Sequence, residues 1–392
     1  MSNMKNKKPK ILDKIYALED FEYYAKKHLP KPVYGYVSGG AERNETLNGN
    51  FQDLSKYKFI PNILRDVSKR SIKTSIFGQE WDAPFGISPM GVSALAAYRG
   101  DLVLAESARN KNIPMMISGS SLIPMEDIIK LAPETWFQAY LPGEHDKVEG
   151  LVERVKNAGF KTLVLTVDVS VLAGRENNLR NGFSTPLRPS LKLLYNGMIR
   201  PKWSINTFLK TILLHGMPHF ENFLAQRGEP VFSASVNRDF GKRSNLNWSH
   251  MKQIRDLWDG NLIVKGILNK DDAIKASSFG ADAIIISNHG GRQLDSAISS
   301  IKALENIRPH IKDNCKLFID SGFRRGTDVI KALSIGADFV FIGRPFLYAA
   351  SIAGLQGVEH AINLLMDEID RDIALIGINN LTELNKQLIY SY

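Results

Sequence analysis

The stretches NAGFKTLVLT (157–166), SFGADAIIIS (278–287) and SIGADFVFIG (334–343) are three versions of one joint. In each, a small-residue turn stops an amphipathic stretch and an apolar run begins at once. Such runs, rich in Val, Ile and Phe, recur at Phe85–Pro89, Pro114–Ser118, Trp136–Tyr140, Thr162–Asp168, Leu262–Leu268, Ala283–Asn288, Leu317–Asp320 and Phe339–Gly343. Continuous apolar runs of this length suit parallel strands covered on both faces. Between them, Asp101–Asn110, Asp146–Asn157, Asp271–Ser278, Ser296–Ile307 and Asp328–Ser334 carry helical patterns, several opening on Asp or Ser and closing on Gly. Eight strand–helix alternations predict an α/β fold, a closed (β/α)8 TIM barrel; the alternative is a doubly wound open sheet.

One domain spanning 1–392 is expected, with the barrel in 81–182 and 246–360. Residues 1–80 form an N-terminal helical preface and 361–392 C-terminal helices. Residues 183–245 are far too long for an ordinary connection and form an insertion after strand four. The single cysteine, Cys315, leaves no internal disulfide and fits a reducing compartment. The net charge of +9 suits nucleic acid, an anionic membrane or anionic substrates. No zinc finger, RNP-like strand or basic recognition helix is read, so nucleic acid is not an expected partner. The basic N-terminus MSNMKNKKPK runs into the charged ILDKIYALED, so no signal peptide is read, and no run is long enough to span a membrane. The expected place is the cytoplasm, or the inner face of the plasma membrane.

In such a barrel the active site lies where the strands end. Polar residues collect there: Ser118 after strand two, Gln138 and Tyr140 on strand three, Thr166 and Asp168 on strand four with Arg175 in its loop. Strand five carries Lys265, and strand six ends in Ser287, His289 and Arg292. Singly, each has a bland explanation as a satisfied strand-end residue or turn former. Lys265 is harder to dismiss, because a buried ammonium costs several kcal/mol without an acidic partner, either a core carboxylate or an anionic cofactor. Gly322, Arg324 and Gly326 precede one helix and Gly343 and Arg344 another, the pattern of a phosphate cup.

The ordered set VYGYVSGGAERNETL, WFQAY, LTVD with a downstream GRE, LIVKGIL, SNHGGRQLD and DSGFRRGTDVIKALSIGADFVFIGRP resembles the FMN-dependent 2-hydroxy acid dehydrogenase and oxidase family over nearly the whole chain. The resemblance implies oxidation of an L-2-hydroxy acid, lactate- or mandelate-like, to the 2-oxo acid. His289 would be the general base, with Asp168 behind it. Arg175 and Arg292 would bind the substrate carboxylate, whose planar geometry suits an arginine fork, and Tyr36 and Tyr140 would contact carboxylate and hydroxyl. FMN would lie against Pro89, Met90, Gly91, Ser118, Gln138, Thr166 and Ser287. Lys265 would serve its N1 edge, and Asp320, Gly322, Arg324, Gly343 and Arg344 its ribityl and phosphate groups. No metal is expected, and a homotetramer is implied.

Departures from the family's pattern refine this. Pro89-Met90-Gly91 resembles dehydrogenases more than oxidases, favouring a quinone-type acceptor over oxygen. Ser120 stands where glycolate oxidases have a pocket tryptophan, leaving room for a larger substrate. Ser321 replaces a usual glycine. From Ser184 to Phe220, five basic residues (Arg188, Lys192, Arg200, Lys202, Lys210) and no acidic one alternate with apolar side chains. That pattern fits an anionic membrane surface, or else a lid or subunit contact. The rival functions are an oxygen-using oxidase and a catalytically silent flavin-binding barrel; loss of His289 or of an arginine would mark the second, and neither is lost.

Overall fold

The computed structural model describes residues 8–184, 187–232, 243–312 and 314–391. Each of the eight apolar runs becomes a strand: β1 (Phe85–Ile87), β2 (Met116–Ser118), β3 (Trp136–Tyr140), β4 (Thr162–Thr166), β5 (Asn261–Ile267), β6 (Ala283–Ile286), β7 (Lys316–Ile319) and β8 (Phe339–Ile342). All neighbours pair in parallel, and β1 lies beside β8. The remaining seam closes where Ile87 N–H donates to Pro114 O at 2.9 Å beside an Ile87–Met115 bridge. Closure excludes the open sheet.

Each strand is followed by a helix: α1 (Gly100–Asn110), α2 (Met125–Leu131), α3 (His145–Ala158), α4 (Trp248–Leu257), α5 (Lys270–Ser278), α6 (Ser300–Ile307), α7 (Gly326–Ile335) and α8 (Arg344–Ile376), the last kinked at Ala353 and Gly354. The repeated joint has a physical basis. Gly280 and Gly336 turn the chain through left-handed backbone, φ +85° and +113°. The aspartate two residues on then accepts an N–H from the start of the preceding strand: Asp282 from Leu262 and Asp338 from Leu317, both at 2.8 Å. The motif therefore sets strand register as well as stopping a helix.

Alternation along the strands divides core from site. Ile117, Phe137, Leu165, Val264, Ile284, Ile319 and Val340 face the helices. Met116, Trp136, Val164, Ile263, Ile285, Phe318 and Phe341 fill the barrel. Two residues beyond each interior residue stand Ser118, Gln138, Thr166, Lys265, Ser287, Asp320 and Gly343. On seven of the eight strands the inward line is thus apolar below and polar or open above.

Among its described residues the preface holds three α-helices, Leu18–His28, Lys31–Ser38 and Glu45–Ser55. After them a hairpin, Thr74–Ile76 with Gln79–Trp81, seals the barrel's lower end. Its Ile76, Phe77 and Trp81 pack on the interior cluster, Phe77 lying 5.9 Å from Trp136 and 6.0 Å from Phe318. The chain end differs from the all-helical expectation for 361–392. After α8 it ends in Ile389–Ser391, which pairs antiparallel with Tyr57–Phe59; three-residue strands carry too little pattern to be read alone.

The described part of the insertion forms helix Leu191–Met198 and a helical run Pro201–His215 that widens to π-helical over Ser204–Leu209. Its burial is inverted. Leu191, Leu194, Met198, Leu213 and Leu214 are exposed, Leu191 by 85% and Leu213 by 80%, while Asn196 and Thr207 are buried. Trp203 anchors it, its indole N–H donating to Leu95 O at 2.8 Å.

Candidate active site

At the polar end of the barrel lies a cavity of about 700 Å³, lined by residues from the preface, the strand ends and the insertion. His289 follows β6 in a turn of three left-handed residues, His289, Gly290 and Gly291, with φ +57°, +65° and +71°. Gly291 has no alternative, since a Cβ there would sit 2.5 Å from Leu47 N. The preface grips this turn. Ala41 N–H donates to Gly291 O at 2.8 Å, and the amides of Asn50 and Asn288 bond reciprocally at 3.0 and 2.7 Å.

His289 Nδ1 lies 2.9 and 3.1 Å from the two carboxylate oxygens of Asp168, and Nε2 lies 3.4 Å from Tyr140 Oη. With Nδ1–H donating to the carboxylate, Nε2 keeps the basic lone pair. Burial lowers the His289 pKa and Asp168 recovers part of the loss, which on balance favours the neutral ring. For Asp168, burial is outweighed by His289 and Lys265, which hold the carboxyl below its usual range. Burial, then Asp168, raises Tyr140, which stays a hydroxyl able to donate.

Arg175, from the loop after β4, and Arg292, from the loop after β6, meet on the cavity wall. Arg175 donates Nε–H to Arg292 O at 2.9 Å and Nη2–H to Gln293 Oε1 at 2.7 Å. Arg292 donates Nη1–H to the carbonyls of Tyr36 and Gly39 and stacks 4.9 Å over the Tyr36 ring. Burial, then Arg292, lowers the Arg175 pKa to about 10. Two guanidiniums crowded into one buried space form a site for an anion. Gln293 Nε2–H also donates to Asp168 O at 3.0 Å, so one side chain orients both arginine and aspartate. Gln293 stands inside SNHGGRQLD, but nothing in the sequence assigns it a role. Arg243, also on the cavity wall, stacks 4.9 Å over Tyr140 and 4.6 Å over Phe223. It follows the undescribed 233–242, and no motif surrounds it.

Lys265 finds its partner in a core carboxylate, Asp320 Oδ2 at 2.9 Å, and donates to Ser287 Oγ at 2.8 Å. Both charges are buried. Pro89, Met90, Gly91, Thr166, Lys265, Asp320, Gly322, Arg324, Gly343 and Arg344 all line the cavity. Ser118, Gln138, Ser287 and Asp168 are not among the lining residues. The site fits a flavin nucleotide. Gln138 Nε2 and Thr166 Oγ1 are buried with no hydrogen-bond partner among the described residues, as a polar ring edge above them would require. Arg344, brought to about 9 by burial and then Arg292, is a further buried cation on the wall and shares the Gly39 carbonyl with Arg292. Gly326 departs from the expected cup: its N–H donates to Glu368 Oε2 at 2.8 Å, which caps α7 away from the cavity.

Residues 25–391 match the family described as FMN-dependent dehydrogenase. The chain belongs to that family. An (S)-mandelate dehydrogenase of Pseudomonas putida is 36% identical over 372 residues, 95% of this chain and 93% of that protein. An L-lactate dehydrogenase of Ectopseudomonas mendocina is 36% identical over 379 residues, 96% and 98% of the two chains. The crystal structure of the monotopic membrane protein (S)-mandelate dehydrogenase superposes with a TM-score of 0.87 at 35% identity, over 96% of this chain and 100% of that one. The dehydrogenase is therefore an FMN-dependent oxidoreductase of L-2-hydroxy acids. When bound, FMN takes up the two electrons that leave the substrate. Among the described residues of the dehydrogenase no helix is long and apolar enough to cross a membrane.

Proposed function

We propose that the dehydrogenase oxidises a bulky L-2-hydroxy acid of the mandelate type at the membrane surface and passes electrons to a quinone-type acceptor. The arrangement of His289, Asp168, Arg175, Arg292, Tyr36 and Tyr140 around one cavity carries the chemical part. The arginines hold the carboxylate, the tyrosine hydroxyls fix the substrate oxygens, and His289 Nε2 takes a proton while Asp168 stabilises the imidazolium. Gln138 and Thr166 would satisfy the flavin ring, Lys265 would face the charge that reduction adds, and Arg324 and Arg344 would balance the phosphate. Room for a large substrate comes from Ser120 and Gly91, two small residues that lie against each other on the cavity wall with the Tyr36 hydroxyl beside them. The wall beyond them is apolar, with Leu172, Leu179, Phe183 and Phe220.

The inverted insertion supports the membrane part. Leucines exposed by 80% or more beside Arg188, Lys192, Arg200, Lys202 and Lys210 suit an interface of acyl chains and anionic headgroups, where a quinone is available. Two measurements test the proposal. Under anaerobic conditions L-mandelate should bleach the flavin faster than L-lactate at equal concentration, and a soluble quinone should restore colour faster than air. Equal or reversed ranking removes the claim of a bulky substrate, and faster recovery in air favours an oxidase. Flotation with anionic vesicles should carry the protein, and a Leu194→Glu/Leu213→Glu variant should stay behind; a variant that floats as well as the parent removes the membrane claim.

A further inference from the structure

Ser321, next to Asp320 beyond β7, has φ +82°, a backbone state that disfavours any side chain. Its hydroxyl makes two hydrogen bonds there. It accepts from Gly290 N–H at 3.0 Å and donates to Asp320 Oδ1 at 2.9 Å. The first bond reaches the turn that carries His289.

That turn is held at three successive N–H groups. His289 N–H donates to Ser287 Oγ at 3.0 Å, Gly290 N–H to Ser321 Oγ, and Gly291 N–H to Asn288 Oδ1 at 3.1 Å. Ser287 and Asn288 belong to the same loop as the turn, Ser287 Oγ also accepting from Lys265 and Asn288 pairing with Asn50. Of these three acceptors only Ser321 comes from another strand, and Asp320 fixes it through its ion pair with Lys265. Three left-handed residues in a row do not hold their own shape, and the position of the imidazole over the cavity follows from where the turn is tied.

We propose that Ser321 is a positioning residue for His289: its hydroxyl ties the turn to β7 and sets the placement of Nε2. The proposal rests on His289 acting as the base. Two variants separate the hydroxyl from the backbone: Ser321→Gly removes it and suits φ +82°, and Ser321→Ala removes it and keeps the disfavoured backbone. Ser321→Gly should melt no lower than the parent, and Ser321→Ala lower than Ser321→Gly. In both, kcat for anaerobic flavin reduction by the best L-2-hydroxy acid should fall roughly tenfold, as expected for one lost positioning hydrogen bond. KM should stay within about twofold, because both arginines remain. The flavin midpoint potential, measured without substrate, should match the parent's.

Parental kcat in either variant overturns the proposal. So does a potential shift large enough to account for the whole rate loss, since the hydroxyl would then act on the flavin through Asp320. His289→Gln serves as the separate control. If that variant reduces flavin at the parental rate, the assignment of the base fails whatever the serine variants do.

Discussion

Replacing Asp168 by Asn keeps the shape of the side chain and removes its charge. In the structure both carboxylate oxygens lie within 3.1 Å of His289 Nδ1, in a buried setting where the ion pair is weakly screened. A hydrogen bond to a charged group contributes about 1.5–3 kcal/mol, and this one, short and buried, belongs in the upper part, at about 2–3 kcal/mol. On the proposed role of His289, that stabilisation acts on the imidazolium, which forms only as the proton leaves the substrate, so the loss falls on kcat, roughly 30- to 150-fold. The pH dependence gives a second signature. Burial already lowers the His289 pKa, and the Asp168 charge raises it. Without it the pKa falls further, so the acidic limb of the rate profile should move to lower pH while the plateau drops. The assay is anaerobic stopped-flow bleaching of the flavin at saturating substrate across pH 5–9. An Asp168→Asn enzyme within threefold of the parent, or with its acidic limb moved to higher pH, refutes the reasoning.

Two further outcomes follow from buried charge. Asp101, in the first turn of α1, has its pKa pushed up to about 7 by burial, and its Oδ2 has no hydrogen-bond partner among the described residues. A carboxyl raised in the folded state contributes stability below its unfolded pKa of about 3.9 and loses it as pH rises through 7, here about 2–4 kcal/mol. Asp101→Asn should therefore raise Tm at pH 8 and change it little at pH 4; equal shifts at both values in a thermal melt would contradict this. Lys265→Met strands Asp320 as an unpaired buried charge and should cost about 3–5 kcal/mol in denaturant unfolding of the flavin-free protein, whereas Lys265→Met/Asp320→Leu should recover most of it. A double variant no more stable than the single one argues against the ion pair as the source.

The barrel was legible because local signals agreed. GAD joints, uninterrupted apolar runs and capped amphipathic stretches each point to the same element boundaries. The strand-end residues were legible because a charge or amide closing an apolar run has few structural uses. What stayed hidden depends on contacts far apart in sequence. The Asn50–Asn288 pair joins residues 238 positions apart, and neither asparagine differs locally from any other. Gln293 orients Arg175 only once the loops after β4 and β6 meet. The partner of Lys265 was left open between a carboxylate and a cofactor because Asp320 lies two strands away, and period-two geometry aims both inward without saying how close they come. Gly326 fitted a phosphate-loop pattern, yet Glu368, a helix away, takes its N–H first.

The hairpin around Phe77 and the packed interior above it close the lower end of the barrel. With the lower end of the barrel plugged by Ile76, Phe77 and Trp81, reductant and oxidant cannot approach from opposite ends as they could in a pore. On the proposed function they take turns at the same threshold, the oxo acid leaving before the acceptor settles. Such traffic has a kinetic form: parallel lines in double-reciprocal plots, and a crowded entrance when the hydroxy acid is in large excess.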